Sequence, residues 1–259
     1  MKDKILLFIP AYNCEKQIVR VLEQLNESLL RFIDEVIVVN NRSTDGTQEA
    51  VKGFIEDHPQ LPVKLFCNNE NYGLGGSHKV AFDYAIKNGF DYVVVLHGDD
   101  QGDLKDFLPV FAGKYYRKHD CILGARFMPG SKLKGYSAFR TFGNVVYNLL
   151  FAFVIRKRVY DLGSGLNMYS VKMLESGFYK KFPDNLMFNY LMILASEYYG
   201  TDIKFFPVSW REEDQVSNVK MLNQSLKVLS YLWKYYKDPS VITGEFRETK
   251  VEAYEAKLI

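Results

Sequence analysis

Four apolar residues, Val93-Val94-Val95-Leu96, break off abruptly into His97-Gly98-Asp99-Asp100-Gln101. A short, β-branched apolar run reads as a strand buried on both faces, and such strands belong to parallel sheets covered by helices. An imidazole, two carboxylates and an amide do not tolerate that interior, so they must stand at the strand's carboxyl end. In open α/β sheets that edge is where ligands bind. Oxygen donors with one imidazole suit Mg²⁺ or Mn²⁺ better than a thiolate-seeking metal, so the run marks a cation site for a phosphorylated ligand.

Further apolar runs at Ile5 to Ile9, Val36 to Val39, Val63 to Phe66, Tyr92 to Leu96 and Cys121 to Leu123 read as strands. Between them Ile18, Val21, Leu22, Leu25 and Leu29 recur at helical spacing, as do Val51, Phe54 and Ile55, then Val80, Tyr84 and Ile86. Alternating strands and helices predict an α/β fold with a mainly parallel, doubly wound sheet and flanking helices. After Ala125 the pattern changes: the Gly- and Lys-rich stretch Met128 to Tyr136 predicts a mobile loop, and helices are expected to dominate from Ala138 to Gly200. Ile203 to Val208 reads as another strand. Val219 to Lys237 predicts an amphipathic helix, with Leu222, Leu226, Leu229, Trp233 and Tyr236 on one face and Lys220, Lys227 and Lys234 opposite. The organisation expected is a main domain over 1–218 and a C-terminal amphipathic helix and tail over 219–259.

The 259 residues carry a formal net charge of only +2, which gives no reason to expect nucleic acid as a partner. Three cysteines, Cys14, Cys67 and Cys121, form no CxxC pair and suit a reducing compartment, where each reads as core filling. Met1-Lys2-Asp3-Lys4 runs directly into a strand without an apolar leader, which predicts a cytoplasmic protein. Val145 to Ile155 is the most apolar stretch. It falls short of the roughly 20 residues that span a bilayer and is followed by Arg156-Lys157-Arg158. A buried helix is the first reading of it and a membrane-surface contact the second.

Other chemistry-bearing segments follow the strands. Pro10-Ala11-Tyr12-Asn13 bends an aromatic ring and an amide onto the ligand edge, while Asn40-Asn41-Arg42-Ser43-Thr44 offers amides that can read a base edge and hydroxyls that can cap a helix. In Asn71-Tyr72-Gly73-Leu74-Gly75-Gly76-Ser77 the glycines allow close backbone approach at a helix N-terminus. The spacing is not GxGxxG, which disfavours a dinucleotide fold.

Taken in order, these segments resemble the family 2 glycosyltransferases of GT-A fold, closest to the dolichol- or polyprenol-phosphate sugar transferases, over roughly Ile5 to Leu222. The resemblance implies an NDP-sugar donor, carrying UDP or GDP, with Mg²⁺ or Mn²⁺ as cofactor. It implies that Pro10, Ala11, Tyr12 and Asn13 line the nucleotide pocket, and that Asn40 and Asn41 stand where the family has an acidic pair beside the base. Gly73, Gly76 and Gly98 are candidate donor contacts. The family's Asp-x-Asp and following Gln fall at His97, Asp99 and Gln101, so imidazole replaces the first carboxylate. Asp99 is the principal candidate metal ligand, with His97 and Gln101 beside it. Gly124-Ala125-Arg126-Phe127 is similar to the family's Gly-x-Arg-Phe, whose Arg faces phosphate, and Asp161-Leu162-Gly163-Ser164-Gly165 to a segment near the acceptor. Arg211, Ser217 and Lys220 are donor candidates in a basic-and-serine segment.

The resemblance implies an inverting transfer in which Asp99 holds the cation and Arg126, Arg211 or Lys220 adds positive charge where the diphosphate leaves. Many relatives place an acid at the equivalent of Phe188-Asn189-Tyr190-Leu191, which has none here; Asp184 is the nearby substitute. A phosphate acceptor needs no general base, so the missing acid favours polyprenyl phosphate in cell-envelope glycan synthesis over a sugar hydroxyl of a growing surface glycan. A noncatalytic nucleotide-sugar-binding subunit is the alternative of a different class. Lipid acceptors imply work at the inner face of a membrane, either on its surface or with a membrane-protein partner, through Val145 to Arg158 and Lys220 to Lys237.

Overall fold

The structure is a computed structural model that describes residues 2–212, 221–248 and 251–259. The chain begins β1 (Ile5–Ala11), α1 (Glu15–Leu22), α2 (Glu27–Leu30), β2 (Glu35–Asn40), α3 (Thr47–Asp57), β3 (Val63–Asn68), α4 (Gly73–Lys87) and β4 (Tyr92–Leu96). It continues through α5 (Leu108–Ala112), β5 (Cys121–Ala125), β6 (Lys132–Lys134), α6 (Ala138–Ile155), β7 (Leu166–Ser170), α7 (Val171–Leu174) and α8 (Met187–Tyr198). Last come β8 (Ile203–Pro207), β9 (Ser209–Arg211), α9 (Met221–Lys237) and β10 (Ala256–Leu258).

Eight strands form one sheet in the order β10-β3-β2-β1-β4-β7-β5-β8. The pairs within β3-β2-β1-β4 are parallel, β7 runs antiparallel between β4 and β5, and β8 is parallel to β5. Period-two alternation divides each central strand between two layers. Leu6 and Phe8 of β1 with Val93 and Val95 of β4 pack toward α4 and α8, whereas Ile5, Leu7 and Ile9 with Val94 and Leu96 pack toward α1 and α3. Both layers are apolar because helices cover both faces, as the uninterrupted run Val93 to Leu96 required. The three cysteines are free and buried.

Several expectations are corrected. The helical spacing from Ile18 to Leu29 belongs to two helices, because the chain turns after Leu22 and Asn26 caps α2, its side chain accepting from Ser28 N at 3.1 Å. Helices do not simply fill Ala138 to Gly200: β7 lies within that range, hidden in the sequence because its second residue is the buried polar Asn167. Met128 to Tyr136 is not a free loop, since β6 pairs in parallel with β9, Leu133 opposite Trp210.

The apolar stretch Val145 to Ile155 is part of α6, an 18-residue helix, and is not buried: Phe151 and Ile155 enter the core, but Leu149, Leu150 and Phe153 face outward. On α9 the core stripe is Val228, Leu232 and Tyr235, so Leu226, Leu229, Trp233 and Tyr236 form an exposed apolar face. The boundary expected between 218 and 219 falls outside the described residues. Beyond it, β10 hydrogen-bonds antiparallel to β3 and extends the main sheet.

Candidate active site

Because β1, β4, β5 and β8 share one direction and β7 opposes them, the ends of the first four and the start of β7 meet at one edge. Pro10 O accepts from Gly98 N at 3.1 Å, joining the β1 bend to the β4 run. A Cβ on Gly98 would lie 2.9 Å from that carbonyl, so only glycine permits the junction. Tyr12 is exposed beside it. Asn13, with φ 49°, accepts from Thr44 N through Oδ1 at 2.8 Å and donates its own N–H to Ser43 Oγ at 3.0 Å, which ties the β1 and β2 ends together.

Within the β4 run each residue has a distinct setting. The His97 backbone N–H donates to Gly165 O at 2.9 Å, and a Cβ on Gly165 would sit 2.7 Å from the imidazole, so the ring fills the space that glycine leaves. Its Nε2 is buried without a hydrogen-bond partner, and burial, aided by the nearby Arg126 charge, lowers its pKa to about 4. Burial raises the Asp99 pKa to about 6, although Gln101 N donates to Oδ1 at 3.3 Å. A carboxylate whose ionised form is under-stabilised by the protein suits an incoming cation.

Asp100, which the sequence reading did not single out, is the anchor of the run. It adopts φ 57° and is buried. Its carboxylate accepts from Arg20 Nε at 2.7 Å and from Arg211 Nη2, while Arg211 Nε donates to its carbonyl at 2.8 Å. Arg211 N also donates to Gln101 O at 3.0 Å. Nothing local in the sequence announces this partner set, since Arg20 lies 80 residues away on α1 and Arg211 111 residues away on β9.

Arg126, at the end of β5, is held by Asp161 through both carboxylate oxygens, each ion-pair hydrogen bond 2.7 Å long. Its guanidinium carbon lies 5.0 Å from the Trp210 ring centre and 5.1 Å from that of Phe127, with Tyr136 beyond. Burial works against this charge, yet Asp161 outweighs it and keeps the guanidinium pKa above its usual value. Arg126 therefore stays cationic while its field reaches both His97 and Asp99.

The remaining candidates sit on the β2 and β3 side. Asn40 Oδ1 accepts from Ser43 N at 2.9 Å; Asn41 Oδ1 accepts from Asn68 Nδ2 and Tyr72 N, and its Nδ2 donates to Asn71 Oδ1. These buried amides thus shape the edge by bonding to protein. The glycines at the start of α4 admit protein as well: a Cβ on Gly73 would lie 2.4 Å from Asp184 O and one on Gly76 2.4 Å from Tyr72 Cβ, and Gly75 N donates to Asp184 O at 2.7 Å. The close approach expected toward a ligand is made instead to the Pro183-Asp184 backbone. The Asp184 carboxylate accepts from Lys79 Nζ at 2.6 Å and from Tyr254 OH at 2.7 Å. Ser217 and Lys220 lie outside the described residues.

Among the described residues no group of three or more His, Cys, Asp or Glu side chains could hold a metal by itself. A cation held by one carboxylate and completed by ligand phosphate oxygens needs no such group, and Asp99 fits that role. His97 Nε2, packed behind Gly165, is a donor without a partner but is not presented at the surface.

An α/β sheet with one antiparallel insertion, an acidic strand end beside an aromatic-amide bend, and arginines converging on the same edge define a nucleotide-sugar enzyme of GT-A fold. The profile described as "Glycosyl transferase family 2" matches residues 7–178, more than half of the chain, and the chain belongs to that family. It is a glycosyltransferase that uses nucleotide sugars. Over 173 residues it is 22% identical to the undecaprenyl-phosphate mannosyltransferase of Micrococcus luteus, covering 67% of this chain and 69% of that one. Over 186 residues it is 26% identical to the UDP-N-acetylglucosamine–dolichyl-phosphate N-acetylglucosaminyltransferase of Methanococcus voltae, covering 68% and 73%. The glucosyl-3-phosphoglycerate synthase of Mycobacterium tuberculosis, solved with Mn²⁺, UDP-glucose and phosphoglyceric acid, superposes with a TM-score of 0.63 at 16% identity, covering 91% of this chain and 80% of that one.

Proposed function

We propose that this chain transfers a sugar, with inversion, from a UDP- or GDP-sugar to a polyprenyl phosphate. The observation that carries the choice of acceptor is the state of the carboxylates around the edge. A hydroxyl acceptor needs a base to remove its proton. Asp161 is committed to Arg126, Asp100 to Arg20 and Arg211, and Asp184 to Lys79 and Tyr254. Asp99 is the carboxylate assigned to the cation. A lipid phosphate arrives as an anion and asks for no base, and the two relatives above are named for undecaprenyl and dolichyl phosphate.

In this reading Pro10 to Asn13 and the Asn40-Asn41 edge receive the nucleoside, and Asp99 with Gln101 faces the diphosphate. Mg²⁺ or Mn²⁺, when bound at Asp99, supplies charge neutralisation for the departing diphosphate. Arg126, kept cationic by Asp161 and backed by Trp210, faces the phosphates. An acceptor phosphate oxygen attacks the anomeric carbon from the face opposite the diphosphate, forming the new C–O bond as the sugar–diphosphate C–O bond breaks and its electron pair leaves with the nucleotide.

The test is release of UDP or GDP from a panel of nucleotide sugars with Mn²⁺, comparing detergent-dispersed polyprenyl phosphate with soluble sugar acceptors and assigning the product anomer by NMR. Release that depends on the lipid phosphate, with inverted configuration, is expected. Release only with a hydroxyl acceptor overturns the acceptor, and donor binding without release under any condition identifies a noncatalytic subunit.

A further inference from the structure

A continuous apolar face lies on two neighbouring helices, outside the site described above. On α6, Phe139, Phe142, Leu149 and Phe153 recur along one stripe, and Phe142 and Phe153 are 68% and 72% exposed. On α9, Leu226 and Trp233 are 67% and 60% exposed. Tyr236 joins the two stripes: its ring centre is 6.2 Å from that of Phe153 and 5.9 Å from that of Trp233. Contiguous apolar surface of this kind marks an interaction face.

We infer that α6 and α9 dock this protein flat against an anionic lipid surface. The inference rests on the lipid-phosphate reading of the acceptor and names the surface from which that acceptor would be taken. Charge selects this occupant. Neither α6 nor α9 contains an acidic residue, while exposed Arg156 and Arg158 follow α6, and Lys237 lies on α9 with its Nζ 4.8 Å from the Trp233 ring centre. A second copy of the chain on a twofold axis would set these cations against themselves. Anionic headgroups complement them, and Trp and Tyr with flanking lysines suit the headgroup boundary.

Length and composition would let α6 cross a bilayer. Its attachments argue that it lies in the membrane plane instead. Asn148 is buried and donates through Nδ2 to Tyr160 O at 2.7 Å, and Phe151 and Ile155 pack into the core, so one face of the C-terminal half of α6 is committed to protein. Its first turns also reach the active site: Tyr136 OH accepts from Asn144 Nδ2 at 3.0 Å, and the Tyr136 ring faces both Arg140 and Arg126. The apolar face therefore begins beside the arginine assigned to the phosphates.

The experiment is vesicle flotation of the full chain with phosphatidylglycerol or phosphatidylcholine vesicles, with tryptophan emission recorded in parallel. Binding to the anionic vesicles about tenfold or more above the neutral ones is expected, with a blue shift absent in Trp233→Phe. The double substitution Leu149→Ser with Phe153→Ser, and separately Arg158→Glu with Lys237→Glu, should each reduce binding about tenfold or more. Both pairs are on the surface, and transfer to detergent-dispersed polyprenyl phosphate should be unchanged in them. No vesicle binding, binding indifferent to both pairs, or a solution dimer that the Leu149 and Phe153 substitutions dissolve would overturn the inference. Transfer without vesicle binding rejects the docking face alone, and vesicle binding without transfer to the lipid phosphate rejects the acceptor reading alone.

Discussion

Asp161 accepts three hydrogen bonds from Arg126, from N and Nε on one carboxylate oxygen at 2.8 and 2.7 Å and from Nη2 on the other at 2.7 Å. Both side chains are nearly inaccessible, 1% for the carboxylate and 11% for the guanidinium. Removing one partner of such a pair strands the other, so Asp161→Ala should lower stability by roughly 3–5 kcal/mol in urea unfolding. Arg126→Lys should not preserve activity, because an ammonium cannot take both oxygens in a planar fork.

Asp99 sets function against stability. Burial lifts its pKa from 3.8 to about 6, so its contribution to stability is fullest below 3.8 and is lost as pH rises through about 6. At pH 8, Asp99→Asn should therefore raise the melting temperature by a few degrees, corresponding to roughly 1–3 kcal/mol, while nucleotide release falls to background. Full turnover in this variant would remove Asp99 from the metal assignment.

Asp100 is expected to act through its neighbours as a positioning residue. Asn tolerates the left-handed backbone that Asp100 adopts, so Asp100→Asn keeps the turn while discharging the ion pairs to Arg20 and Arg211. A loss in kcat/KM of about ten- to hundredfold is expected. Because Arg211→Gln breaks the same contact, the double variant should cost much less than the sum of the single ones.

Acid should destabilise the fold through His78. Its ring lies among Phe8, Phe82 and Phe188, its Nδ1 is 2.8 Å from Leu74 O, and burial drives its pKa from 6.5 to about 3. The unfolded chain binds this proton more readily, so stability is complete above 6.5 and falls as pH drops from there toward 3. Between pH 7 and 5 the loss attributable to His78 should be about 2 kcal/mol, and His78→Gln should flatten the slope measured by urea unfolding.

The polar strand-end edge was legible because the signals are local. Val93 to Leu96 is apolar throughout because helices cover both faces of β4, and the polar residues that follow could stand nowhere but at its end. The helical spacing of α3 and α4 is likewise written into their own residues. By contrast β7 is short and carries a buried asparagine, and β6, β9 and β10 have three residues each, too few to show a period.

Residue order by itself determined the alternation of strand and helix and the strand end at which the polar run stands, because each follows from which side chains tolerate burial within a few positions of one another; motif order, through the family resemblance, made Asp99 and Arg126 candidates. Only the tertiary structure decided that Asp100 is clamped by Arg20 and Arg211, that the Gly73 to Gly76 turn receives the Asp184 backbone, and that the apolar faces of α6 and α9 lie exposed side by side. Those outcomes depend on contacts between residues tens to more than a hundred positions apart, and periodicity within a helix shows that a face is apolar without showing what covers it.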